Sequence, residues 1–332
     1  MAQRDDIERY RFRNLHPNVL IGTASDRYWG WLGQIYTPEK YQGRITKRTN
    51  KVGGKTFPEE VLPVDSVKEY FEHFGVLEID YTFYRPLLDE KGEPTQTHRV
   101  LAAYREYIRD RDSVVLKVPQ LVFAQKLKRG NRFVENDSYL DPDVFTRQFY
   151  RPAVKILGKS MAGLIFEQEY QRKDERISAK EMGMQLDAFF SKIPKDTRYH
   201  IELRTASYLD RAVFEVFAKH GVGQVLSHWT WLPPLRRQFA KAGRRFFNSG
   251  KQAIVRLMTP RDVRYEDAYA KAHPFDKIVD GMLSREMIED TAVLMHAAVK
   301  RDVRMNVIIN NRAGGNAPMI AQRIAGSFIA KR

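Results

Sequence analysis

The sequence contains no cysteine. That excludes disulfides, thiolate nucleophiles, iron–sulfur clusters and cysteine-ligated zinc. It also has no apolar run approaching the ~20 residues of a membrane span. Its opening, MAQRDDIERYRFRNLHP, has none of the apolar core of a secretory leader. These absences predict a cytoplasmic protein with no membrane partner, and they leave protein partners unknown. Acid is missing locally as well. Gln42–Pro58, Gln125–Arg132 and Leu235–Lys251 contain no Asp or Glu, and their basic residues equal the whole formal net charge of +15. The rest of the chain is close to neutral.

What is present is an ordinary globular composition, 43% hydrophobic and 29% charged over 332 residues, enough to bury a large core. Short β-branched apolar runs recur: Asn18–Thr23, Val76–Phe83, Ser113–Val118, Ala162–Glu167, Tyr199–Arg204, Val222–His228, Ala253–Met258 and Arg304–Asn310. Helix-period segments separate them: Ser66–Phe74, Thr97–Arg109, Pro142–Leu157, Ala179–Ile193, Asp210–His220, Leu235–Phe247 and Arg285–Val299, with Met319–Ala330 after the last run. Strands alternating with helices require parallel pairing and right-handed crossovers. Eight such units predict a closed (β/α)8 TIM barrel. A doubly wound open sheet is the alternative, and it normally opens with a glycine fingerprint that Gly22-Thr23-Ala24-Ser25 does not supply. The predicted organisation is an N-terminal extension over 1–17, then one barrel domain over 18–332 with basic loop insertions near 42–58 and 125–140. Long connections leave the strands and short ones enter them, which marks the C-terminal ends as the active face.

Charges inside core strands are the informative exceptions. Glu78 and Asp80 share a strand face by period two, followed by Thr82 and Tyr84. Lys117, Glu167, Glu202, Arg204, His228, Arg256, Asn310 and Asn311 stand at successive strand ends. This predicts a ring of convergent polar groups. Lys117, Arg204 and Arg256 are suited to a carboxylate or phosphate. Glu167 or Glu202 is suited to proton transfer, and His228 to sharing it. Glu78 and Asp80 would support the opposite wall, with Thr23, Trp29, Thr82 and Tyr84 beside them. A buried ion-pair network that only fills the barrel is the competing reading. Glu78, Asp80, Glu167, Glu202 and His228 are also conceivable oxygen and nitrogen ligands for Mg or Mn, although the cations among them argue against a divalent ion.

After the last strand, Gly314-Gly315 precede Asn316, a candidate N-cap with Pro318 in the first turn. A glycine turn before a helix N-terminus in this place is where barrels often hold phosphate, so Gly314, Gly315 and Asn316 are candidate anion ligands; a plain tight turn is the alternative. Arg237, Lys241, Arg244 and Arg245 recur at helical spacing, opposite Leu235, Phe239, Ala242 and Phe246. They form either a solvated face or a nucleic-acid patch. Tyr28, Trp29, Trp31, Tyr36, Trp229 and Trp231 either pack loops or offer a stacking platform.

Ile21-Gly22-Thr23-Ala24-Ser25, Tyr36-Thr37-Pro38, Tyr70-Phe71-Glu72-His73-Phe74 with Leu77 through Tyr84, Leu116-Lys117-Val118-Pro119, Gly163 through Glu167, Ile201-Glu202-Leu203-Arg204, Val255-Arg256-Leu257 and Asn310-Asn311 through Ala321 together resemble the YecE-like family, domain of unknown function number 72. The resemblance implies a TIM barrel with its site at the C-terminal mouth, and it names no reaction. The chain departs from the family's pattern at Leu121-Val122-Phe123, at Glu167-Gln168-Glu169-Tyr170 and at Met258-Thr259. The expectation is therefore a hydrolase or lyase for an anionic small molecule, phosphorylated or derived from nucleic acid. The alternatives are a non-catalytic DNA- or RNA-binding protein using the basic loops, and a glycosidase-like enzyme with paired carboxylates.

Overall fold

The computed structural model describes residues 2–130 and 132–330. Eight strands form a closed barrel. They are β1 (Val19–Ala24), β2 (Val76–Ile79), β3 (Ser113–Lys117), β4 (Met161–Glu167), β5 (Tyr199–Glu202), β6 (Gly223–His228), β7 (Gln252–Leu257) and β8 (Arg304–Ile309), and consecutive strands are neighbours all the way round. Each is followed by a helix: α1 (Val67–His73), α2 (Gln96–Arg105), α3 (Arg151–Leu157), α4 (Ala179–Lys192), α5 (Arg211–His220), α6 (Leu235–Lys241), α7 (Arg285–Val299) and α8 (Ala317–Ala330). This is the expected (β/α)8 barrel. Its strands are buried almost end to end, as strands covered on both faces must be.

The chain divides into two compact units. The first runs through Glu78 and takes in Ser227–Arg236 and the segment from Ile254 onward. The second comprises Ile79–Leu226 and Arg237–Ala253. In the first, β1 pairs in parallel with β2 and β8, with Gly22 opposite both Val76 and Ile308. The N-terminal segment belongs to the same unit: Phe12 is fully buried, and its amide donates to the His73 carbonyl at 2.7 Å. In the second, Lys117 is in register with Ile165, and Glu167 with Glu202. Residues in register share a face, and alternate residues of a strand return to it. Lys117, Glu167 and Glu202 therefore lie on one face of β3–β5.

Local chemistry sets the helix ends. Ser178 and Glu181 form a reciprocal capping box on α4, and Asp210 caps α5, which stops at the left-handed Gly221. The expected helix over Pro142–Leu157 is interrupted by a π-helical stretch, Phe145–Tyr150, before α3. Pro152 lacks the N–H that would bond to Gln148 four residues back. The Gln148 carbonyl instead accepts the amides of Leu87 (3.1 Å) and Leu88 (2.9 Å). The helix expected over Leu235–Phe247 stops at Lys241. Gly243 and Arg244 both take positive φ, +65° and +55°, so Arg244 and Arg245 leave the helical face shared by Arg237 and Lys241.

The two stretches expected as basic insertions contain antiparallel hairpins. Thr46–Val52 pairs with Lys55–Val61 across Gly53-Gly54, both left-handed at φ +56° and +78°, which suits a two-residue hairpin turn. Lys126–Arg129 pairs with Arg132–Glu135. Acids just outside the first acid-free window meet part of the excess charge: Lys47 reaches Glu60 (3.2 Å), Arg48 reaches Glu59 (2.8 Å) and Arg44 reaches Asp65 (2.7 Å); in the third, Arg236 pairs with the distant Asp290. No helix among the described residues is long and apolar enough to cross a membrane.

Candidate functional site

In the second unit, four charged side chains gather at the ends of β3, β4 and β5. Glu167 Oε2 receives Lys117 Nζ at 2.5 Å and an Arg204 guanidinium nitrogen at 2.8 Å. The same Arg204 nitrogen lies 3.4 Å from Glu202 Oε2. Lys117, Glu167 and Glu202 are buried and Arg204 nearly so, so solvent screens these contacts far less than surface pairs. Lys117 Nζ also sits 3.9 Å from the centroid of the Phe83 ring, a cation–π contact. Thr82 Oγ1 donates to the Lys117 carbonyl at 2.7 Å.

Arg204 lies beyond β5, and its position depends on Gln168. Gln168 Oε1 accepts the amides of Arg204 (3.0 Å) and Thr205 (3.1 Å), and its own amide donates to the Glu202 carbonyl (2.9 Å). Gln171 extends the clamp by accepting from the Tyr208 hydroxyl and donating to Gln125 at 2.6 Å. Glu169 accepts the Gln125 amide at 3.1 Å, and burial pushes its carboxyl above the ordinary range. Sequence reasoning missed Gln168, Gln171 and Phe83, because uncharged residues in a strand end or a loop give no periodic signal. Their positions, directly after Glu167 and within the run that leads from Glu78 to Tyr84, were the only available hint.

Other expected site residues have different employment. In the first unit, Arg256 donates to both Glu78 oxygens, Nε to Oε2 at 2.7 Å and a terminal nitrogen to Oε1 at 2.6 Å, and both side chains are essentially inaccessible. Its fork is taken by Glu78. β2 ends at Ile79 and a 3-10 turn follows over Tyr81–Phe83. Asp80, Thr82 and Tyr84 thus do not continue the Glu78 strand face, and Tyr84 is exposed. Thr23 bonds to the Tyr70 hydroxyl and the Ser25 carbonyl. Trp31 is buried, with its indole N–H on Asn311 Oδ1 at 3.2 Å, whereas Trp29 and Trp231 are exposed.

The glycine turn is also self-contained. The amides of Gly314 and Gly315 both donate to the Asn311 carbonyl, and the Ala317 amide donates to Asn311 Oδ1. A Cβ on Gly315 would lie 2.2 Å from the Lys277 carbonyl oxygen. Asn316 is the expected N-cap, accepting the Met319 amide at 2.9 Å, and Asn310 caps the preceding turn through the Arg312 amide. The amides of Gly314, Gly315 and Ala317 thus have partners inside the turn. Nor is the conceived metal set assembled: among the described residues no three His, Asp or Glu are placed to hold an ion, since Glu78 faces Arg256 and Glu167 faces two cations.

His228, at the end of β6, is buried, and its Nε2 has no hydrogen-bond partner among the described residues. Burial, aided by Arg261, pushes its imidazole down to about 4. His200 is likewise pushed to about 4 by burial. Unfolded histidines protonate as pH falls through about 6.5, whereas these folded ones resist until about 4. The stability they contribute above pH 6.5 is therefore lost as pH falls toward 4, by roughly 3 kcal/mol each. Urea denaturation between pH 7 and pH 4 should show this decline, and His228→Asn should flatten part of it. An equally steep decline in His228→Asn would refute the assignment.

Two solved structures share the fold. A DUF72 family protein from Thermotoga maritima MSB8 is 16% identical, with a TM-score of 0.55 and coverage of 95% of this chain and 99% of that one. A DUF72 family protein from Enterococcus faecalis V583 is 13% identical, with a TM-score of 0.53 and coverage of 94% and 95%. No curated protein matches the chain. The sequence profile described as "Protein of unknown function DUF72" matches residues 20–331, almost the whole length, and the chain belongs to that family.

Proposed function

We propose that this protein is a hydrolase or lyase for an anionic ligand, phosphorylated or derived from nucleic acid, bound at the ends of β3, β4 and β5. One observation carries the reading: Lys117 and Arg204 converge on a single oxygen of Glu167, with Glu202 3.4 Å from the same guanidinium nitrogen. A purely structural network gains little from charge, because desolvation offsets the Coulomb attraction. Here the charges collect at strand C-terminal ends, where barrels of this type do their chemistry. Lys117 and Arg204 would turn part of their hydrogen bonding from Glu167 to the ligand's oxygens. The carboxylates of Glu167 and Glu202 would then stand beside the bound group, placed to take or return a proton.

The test pairs binding with turnover, using inorganic phosphate and a panel of phosphomonoesters and oligonucleotides. Glu202→Gln keeps the shape of the site and removes its base. It is expected to leave phosphate affinity within about twofold and to lower any turnover by about 10²–10⁴-fold. Lys117→Met is expected to weaken phosphate binding, read by calorimetric titration. If affinity instead responds only to Arg237, Lys241 and Arg244, the reading fails.

A further inference from the structure

We propose that the second hairpin, Lys126–Arg129 with Arg132–Glu135, is a docking arm for single-stranded nucleic acid. Phe133 serves as its stacking surface, and Lys128 and Arg132 contact phosphates. The register sets this arrangement. Lys128 is opposite Phe133, and Leu127 is opposite Val134. Cross-strand partners share a face, so Phe133 and Lys128 stand on one face of the hairpin while Arg132 lies on the other. Phe133 is 68% exposed, an uncommon position for a phenylalanine unless it meets something. An exposed ring on a hairpin that also carries cations is the combination that single-strand binders use, since every base has a face to stack and every linkage a charge to neutralise.

The two hairpins differ in a way that selects this one. The first packs against the helix Tyr265–Ala272: Val52 belongs to the same buried cluster as Tyr269, Asn50 reaches the Tyr269 hydroxyl at 3.3 Å, and that hydroxyl donates to Glu59 at 2.6 Å. Its Lys47 and Arg48 are held by acids of its own partner strand. In the second hairpin Arg132, Phe133, Val134 and Glu135 are all exposed, and so is Lys128. Among the described residues, its base is the part that is tied down. Asn136 Nδ2 donates to the carbonyls of Leu121 (2.8 Å) and Ala124 (2.6 Å), Gln125 donates to Glu169, and Lys126 reaches Glu175 at 3.4 Å. The apolar residues are split between faces, with Phe133 on one and Leu127 and Val134 on the other. That favours a threaded strand over a bilayer, which needs one broad apolar face.

The proposal stands apart from the catalytic reading, and the experiment separates the two. Fluorescence anisotropy of the full-length protein would be followed across a salt series, with fluorescein-labelled oligouridylate and oligothymidylate of about a dozen nucleotides. Phe133→Ala is expected to weaken binding about tenfold with little change in salt dependence. The double variant Lys128→Ala/Arg132→Ala is expected to lower the log–log salt slope by about 1.4, two single-strand phosphate contacts. Glu202→Gln should bind the oligonucleotides like the unaltered protein, so loss of turnover leaves the arm intact. All three hairpin side chains are exposed, so these variants should fold. Unchanged affinity in Phe133→Ala together with an unchanged slope in the double variant would overturn the proposal. So would the absence of oligonucleotide binding alongside Phe133-dependent binding to phosphatidylserine vesicles.

Discussion

Arg256→Met is expected to destabilise the protein by about 3–5 kcal/mol, read as a lower urea midpoint at pH 7. The reason is asymmetric. Arg256 and Glu78 are both nearly inaccessible and joined by two short, parallel hydrogen bonds. Removing the guanidinium strands a carboxylate away from water, and an uncompensated buried charge is among the costliest defects a core can hold. The double variant Glu78→Gln/Arg256→Met removes both charges. It should be more stable than the summed single losses by about 0.5–3 kcal/mol, because contacting residues do not behave additively. A double variant no better than that sum would show that the two side chains do not act as a pair. Conversion of both to neutral groups has little to lose otherwise, since desolvation already cancels much of a buried pair's attraction.

Gly22→Ala is expected to be worse still, costing more than about 4 kcal/mol and leaving little folded protein. Gly22 is in register with Val76 where β1 and β2 meet. A Cβ there would fall 1.7 Å from the Val76 carbonyl oxygen and 2.6 Å from its carbon. Those are backbone atoms, so no rotamer change relieves the overlap, and Val76→Ala should not rescue it. Gly75→Ala makes the useful comparison: there the nearest obstacle is Leu20 Cδ2 at 2.9 Å, the tip of a side chain that can turn. Gly75→Ala should express and melt cooperatively, while Gly22→Ala should lack the far-ultraviolet circular dichroism of the folded barrel. Cooperative melting of Gly22→Ala near the unaltered protein would contradict the close approach of these strands.

Much of this was legible along the chain. Eight β-branched runs separated by helix-period segments specified the barrel, because period and chain order are local properties that survive without coordinates. Glu167, Glu202, Arg204 and Lys117 stood out because a charge in a core strand has to be accounted for wherever it lies. Even the Asn316 cap was readable, since capping depends on a residue and the amide three positions on. The misreadings share one cause. Period two carried Glu78 through Asp80 to Tyr84 on a single face, but a strand ends where its neighbours stop pairing with it. The helical spacing of Arg237 to Arg245 took no account of the left-handed Gly243 and Arg244. The Asn311 carbonyl that takes the amides of Gly314 and Gly315 likewise came into view only in the structure.

The division follows from the range of the forces. The order of secondary elements, the burial of apolar runs and the total charge were set by neighbours in sequence and needed no partner to be identified. Tertiary structure alone decided which acid each base would meet: Arg256 took Glu78, 178 residues away in sequence, while Arg204 and Lys117 shared Glu167. Desolvation drives most buried charges and amides to a partner at close range, but it does not specify a sequence separation, so that choice appears only once the strands are side by side.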